Sequence, residues 1–259
     1  MTPPLSQAMP VSQPQQPLAP THRKTAIAVG VLFIACSAAS ILSALPTASL
    51  LDATDYLGAL AAHESRVIIG SIIEFIWAVT GAAIAVALYP VLRRFSRGLA
   101  LGAVCGRVVE GVFVLIGTLG LVTLLTVGQK AAGSADPAAF LASSDLLVGI
   151  RDWCHGYMGM IPFMLGALMY YCVMYRWRVV PRWLSGWGIV GVVLGLVATI
   201  YSAFTQDFGL TTLNSALNAP IGVQEMVLAV WLIVKGFNKT APAAAPAGQA
   251  WTGPTGQDK

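Results

Sequence analysis

Leu99 to Val127 is one apolar run, and inside it stands Gly102-Ala103-Val104-Cys105-Gly106-Arg107-Val108-Val109-Glu110-Gly111. The run is long enough to cross a bilayer, which takes about 20 residues of helix. Yet it carries an arginine and a glutamate three positions apart near its middle. Residues three apart on a helix share a face, so Arg107 and Glu110 project together. An ionised group at the bilayer centre costs about 2.5–3.5 kcal/mol on insertion scales. Both side chains must therefore face protein or water. The stretch reads as a membrane helix whose inward face is polar.

The rest of the chain agrees. It has 259 residues, 56% hydrophobic and only 10% charged, where a soluble domain carries about 25% charged residues. With a mean hydropathy of +0.73, the composition is that of a polytopic membrane protein. The net charge of +4 does not point to nucleic acid, because the basic residues sit in short loops and form no continuous patch. Cys36, Cys105, Cys154 and Cys172 show no CxxC or other metal-like spacing. They read as small packing residues.

Residues 1–22 are rich in Pro, Gln and Ser and have no periodicity, which reads as a disordered tail. Arg23-Lys24 then precede an apolar run over 25–45. A cleaved signal peptide competes here, since Ala44 and Ala48 are small. The run exceeds the usual h-region of about 7–15 residues, which favours an uncleaved first span. Five more runs follow, over 67–89, 99–127, 153–175, 184–204 and 217–234, so six transmembrane helices are expected. In the last run Pro220 is expected in the first helical turn, where proline is tolerated. Residues 23–237 form the membrane domain, and 238–259 read as a second disordered tail.

Lysine and arginine set the orientation. With a cytoplasmic N-terminus, the inside segments hold Arg23, Lys24, Arg93, Arg94, Arg97, Arg176, Arg178, Arg182, Lys235, Lys239 and Lys259. The outside segments hold only Arg66, Lys130 and Arg151, while Asp52, Asp55, Glu64, Asp136, Asp145, Asp152 and Asp207 all fall outside. Both termini are therefore expected in the cytoplasm. The inside turns at 90–98 and 176–182 are tight, making hairpins of spans two and three and of spans four and five. Asp136-Pro137 carries helix-start chemistry, and 138–150 is expected to lie as a short helix at the outer interface. Gly102 and Gly106, and Gly191 and Gly195, are small-xxx-small pairs that mark close helix approach. Trp153 and Tyr157 at the outer boundary, and Trp177, Trp183 and Trp187 at the inner one, occupy aromatic-belt positions.

Several pieces in order resemble one family. They are Lys24-Thr25-Ala26-Ile27, Ala87-Leu88-Tyr89-Pro90-Val91-Leu92, Arg107-Val108-Val109-Glu110-Gly111, Arg151-Asp152-Trp153, Pro181-Arg182-Trp183-Leu184-Ser185-Gly186-Trp187-Gly188 and the stretch from Pro220 to Trp231. Over about Arg23 to Phe237 the chain resembles the bacterial membrane family called domain of unknown function 4386. The resemblance implies a six-span architecture and brings no activity with it.

Four ionisable residues lie within spans: Glu74, Arg107, Glu110 and Glu225. At 1.5 Å per residue each lies on the order of 10–16 Å from a span end, a depth that lets them meet if spans two, three and six are neighbours. Three carboxylates against one guanidinium leave excess negative charge, so a carboxyl is protonated there or a cation is bound. One reading is a buried polar knot that fixes helix register. A second is a proton- or cation-coupled pathway. A third is recognition of a lipid head group or small anion by Arg107. A further cluster is expected at the outer face, from His63, Arg151, Asp152 and His155, with Glu64 nearby. Its histidines suggest a metal or haem site only if the two span ends adjoin. No known metal spacing supports that, no cofactor is implied, and no nucleophile with a base in reach is found. The expected partner is the lipid bilayer; substrate, ion ligand and oligomeric state are not readable. The function classes rank as a non-catalytic membrane or accessory protein, then a small transporter, then a membrane redox or metal-binding enzyme.

Overall fold

The computed structural model describes residues 21–209 and 211–238. The expected tails at 1–22 and 238–259 lie outside the described residues, apart from Thr21 and His22, which open the first helix, and Asn238. Nine α-helices occur among the described residues, and no strand does. They are α1 (Thr21–Leu42), α2 (Ala48–Leu51), α3 (Tyr56–Ala62), α4 (Glu64–Leu92), α5 (Arg97–Ala132), α6 (Leu141–Trp153), α7 (Met160–Arg176), α8 (Arg182–Thr205) and α9 (Thr212–Val234).

Six stretches are long and apolar enough to cross a membrane: 22–42, 64–92, 97–132, 137–176, 182–205 and 212–234. The protein is an all-α, multi-pass membrane protein. Its spans form a closed ring, with α1 against α4, α4 against α5, α5 against α7, α7 against α8, α8 against α9, and α9 back against α1.

The distribution of side chains in α4 is that of a lipid-facing helix. Ile72, Phe75, Ile76 and Val79 are exposed, whereas Gly70, Glu74, Ala78 and Gly81 are buried. A water-soluble helix buries its apolar stripe and exposes its charges. Here Glu74 is inside while Ile72 and Ile76 are outside, which suits a hydrocarbon surround. The same inversion holds on α5, where Arg107 and Glu110 are buried and Val108, Val109 and Val112 are exposed.

The small-residue pairs sit at helix crossings. A Cβ on Gly106 would lie 2.7 Å from the Pro162 carbonyl oxygen and 2.9 Å from Gly166 Cα, so α5 and α7 meet there backbone to backbone. On α8 a Cβ at Gly191 would lie 3.0 Å from the backbone of Ile221 in α9.

Two expectations change. The segment expected as a separate interfacial helix begins as a 3₁₀ turn (Pro137–Phe140) after Asp136 and becomes α6, which packs on α5. It runs through a π-helical turn (Cys154–Met158) into α7. Ser144 and Arg151 face inward, so the stretch serves as an extension of the fourth span. The connector after α1 also holds helices α2 and α3, the latter capped by the Asp55 side chain accepting from the Gly58 amide. Finally, α9 starts at Thr212, whose preceding Thr211 caps the Asn214 amide. Pro220 therefore lies inside α9 and not in its first turn. With no N–H, it leaves the carbonyl of Ala216 without its helical donor.

Candidate functional site

The four intramembrane residues do not converge on one point. They divide between two levels of the bundle, each with its own guanidinium.

The first level is held by Glu74 on α4, which is 1% exposed. Arg151 meets it with both terminal nitrogens: Nη1 donates to Oε2 at 3.1 Å, and Nη2 makes a very short contact with Oε1. Thr118 Oγ1 on α5 donates to the same Oε2 at 2.7 Å. Arg151 Nη1 also donates to the Gly117 carbonyl at 3.3 Å. A two-pronged guanidinium–carboxylate pair matches donor to acceptor in both position and charge. His155 adjoins it, with Nε2 at 4.0 Å from Glu74 Oε2 and 3.1 Å from the Val114 carbonyl. A hydrogen bond to that carbonyl requires the proton on Nε2. The imidazole packs edge-on against Trp77, with ring centroids 5.6 Å apart. Gly117 makes room for it, since a Cβ there would lie 2.5 Å from His155 Nε2.

The second level surrounds Arg107, 2% exposed. Nη1 lies 2.8 Å from Glu110 Oε2. Nε donates to the Gly81 carbonyl on α4 at 3.1 Å, and Nη2 to Cys36 Sγ on α1 at 3.5 Å. The Phe163 ring of α7 lies under the guanidinium, 4.6 Å from its central carbon. Glu225 on α9 is within the electrostatic reach of Arg107 and Glu110. Its Oε2 accepts from Ser37 Oγ at 3.3 Å, while Oε1 has no hydrogen-bond partner among the described residues. The buried Tyr170 hydroxyl is in the electrostatic neighbourhood of this carboxyl and has no hydrogen-bond partner among the described residues. Next to it Tyr171 donates to Gln224 Oε1 at 2.5 Å, and Gln224 Nε2 donates to the Leu184 carbonyl at 2.9 Å. These bonds extend the polar interior to the start of α8.

The levels are set by α5. Glu110 precedes Thr118, the partner of Glu74, by about two turns, or about 12 Å of rise. Glu74 is therefore not part of the Arg107 group. The expected charge balance changes as well, since Arg151 brings a second guanidinium and the surplus falls to one carboxyl. The residues expected at the outer face also separate. Arg151 is 8% exposed and serves Glu74. His155 is inside the bundle, Asp152 is half-buried, and His63 is exposed at the end of α3 with Nδ1 facing the Ala59 carbonyl. No group of three His, Cys, Asp or Glu side chains able to hold a metal ion occurs among the described residues.

Arg151, expected at the outer face, instead lies inside the bundle on Glu74. Two residues before the apolar run at 153, it looks like an interfacial arginine. The available signal was the spacing of Ser144, Leu147, Val148 and Arg151, which puts all four on the face of α6 turned to the bundle.

A family model described as Domain of unknown function (DUF4386) matches residues 28–236. No curated protein matches the chain, and no solved structure does. Most of the chain, with both guanidinium groups and all three buried glutamates, lies within the matched region, and the protein belongs to the DUF4386 family.

Proposed function

We propose that this is a non-catalytic multi-pass protein of the cell inner (plasma) membrane, with both termini cytoplasmic, whose buried ion pairs set the register of the helices. The observation that carries this reading is the range of elements each guanidinium engages. Arg107 contacts α1, α4 and α7 besides Glu110 on its own helix. Arg151 joins α6 to α4 and to the Gly117 carbonyl of α5. Removing one partner of such a pair strands a charge and typically costs about 3–5 kcal/mol. The concentration of arginines in the turns at 93–97 and 176–182 supports the orientation.

The test is thermal unfolding in detergent of the wild type, Arg107→Gln and Glu74→Gln. A large loss of stability in both variants is expected. Wild-type stability in both would refute an architectural role. Labelling of single cysteines placed at 98, which is exposed, and at 134, in intact cells, tests the orientation: only the second should react with an impermeant reagent.

A second reading, proton- or cation-coupled transport, is favoured by one observation. Glu225 is a third buried carboxyl in a bundle with two buried guanidinium groups, and Arg107, the one that acts on it, already pairs with Glu110.

A further inference from the structure

Arg107 has two carboxyls in its surroundings, Glu110 beside it and Glu225 on Ser37 next to the Cys36 it contacts, and it can neutralise one. Glu110 holds it at 2.8 Å from α5. Glu225 comes from α9, where its Oε2 accepts from Ser37 and its Oε1 has no hydrogen-bond partner among the described residues. All three side chains are at least nine-tenths buried. Two carboxylates beside one guanidinium would leave a net negative charge in an apolar interior, and a group in that position takes up a proton.

We propose that Glu110 and Glu225 form a one-proton site around Arg107, in which the guanidinium pairs with whichever carboxyl is ionised and the other carries the proton. This deepens the transport reading and names the proton as the ligand. In the arrangement observed, Arg107 pairs with Glu110, and Glu225 holds the proton on its unpartnered oxygen. In the exchanged arrangement the proton leaves Glu225 and bonds to a Glu110 oxygen. The negative charge moves the opposite way, to Glu225, and Arg107 remains a cation throughout.

The surroundings suit a swap between two states. From α1 the site is faced by Cys36 and Ser37, from α7 by Tyr170 and Tyr171, and from α4 by the Gly81 carbonyl. Arg107 is the cation among these groups. Glu74, the remaining buried carboxyl of the bundle, is occupied by Arg151 about two turns away. The buried Tyr170 hydroxyl, in the electrostatic neighbourhood of Glu225 and without a hydrogen-bond partner among the described residues, is a donor available once that carboxyl is ionised. Pro220 interrupts the hydrogen-bond ladder of α9 just over a turn before Glu225, a place where the helix can flex as Arg107 is drawn toward it.

The experiment is infrared spectroscopy of the purified full chain in detergent at neutral pH, reading the carbonyl stretch of neutral carboxylic acid. The wild type should show a band equivalent to one buried carboxyl, shifted in D₂O. Glu225→Gln and Glu110→Gln should each abolish it, because the remaining carboxyl ionises to pair with Arg107. Both variants should fold. Loss of the band in Glu225→Gln alone would overturn the proposal in favour of a fixed neutral acid. A wild type with no such band, or with two, would overturn it without reference to any variant. A Glu110→Gln protein that cannot fold would overturn it as well, since Glu225 would then be unable to take over the guanidinium.

Discussion

Both terminal nitrogens of Arg151 close on the two carboxylate oxygens of Glu74, joining two helices that each pack chiefly on α5. The pair is sealed, with Glu74 1% and Arg151 8% exposed. Replacement of Arg151 by Gln is expected to lower stability by about 3–5 kcal/mol, as for other buried pairs that lose one partner. Arg151→Lys should recover only part of this, because an ammonium cannot make the two-pronged contact. Thermal melts in one detergent, with all three proteins side by side, check the order.

Gly117 and His155 make a second, independent test. Alanine at 117 places a Cβ 2.5 Å from His155 Nε2, so the ring must move. Overpacking of this kind costs about 1–3 kcal/mol. Because the imidazole sits edge-on against Trp77, its displacement should also change the tryptophan emission of Gly117→Ala relative to wild type.

The α5–α7 crossing separates two glycines that look equivalent in sequence. A Cβ at Gly102 meets Met169 Sδ, in a flexible thioether chain, whereas a Cβ at Gly106 meets the Pro162 carbonyl and Gly166 backbone. Methionine yields easily, and a backbone contact does not. Gly106→Ala should therefore lower the melting temperature clearly more than Gly102→Ala.

Tyr56 lies between spans, where its hydroxyl donates to Asp145 Oδ1 at 2.7 Å. Partial burial and then this bond to a carboxylate push the phenol up to about 12, from an ordinary value of about 10. A raised value means that the bond's contribution is complete below pH about 10 and is lost as pH climbs through about 12. Tyr56→Phe is expected to cost about 0.5–1.5 kcal/mol at neutral pH. The ultraviolet titration of wild type minus variant should show one late-ionising phenol.

Much of the fold is legible because a bilayer writes its thickness into the chain. Each apolar run of sufficient length is a helix, and Arg107 and Glu110 meet because three residues are nearly one turn. What hydropathy misses is where a helix continues beyond the apolar run. Arg151 belongs to such an extension, as does the start of α9, which Thr211 caps through the Asn214 amide. Pairing between helices is a further step away. Nothing local in the sequence tells that Glu74 answers to Arg151, 77 positions on, and not to Arg107.

The ring is closed by its first and last helices. Arg23 of α1 donates to the carbonyls of Leu232 and Ile233 at the end of α9, and Ser37 reaches Glu225 lower in the same seam. During synthesis the seam is the last contact to become available. Arg107 enters the bilayer with Glu110 already beside it, and the third carboxyl arrives only after about 115 further residues have been translated. A ribosome stalled before α9 would leave a five-span intermediate with Ser37 and the open flank of α1 facing lipid.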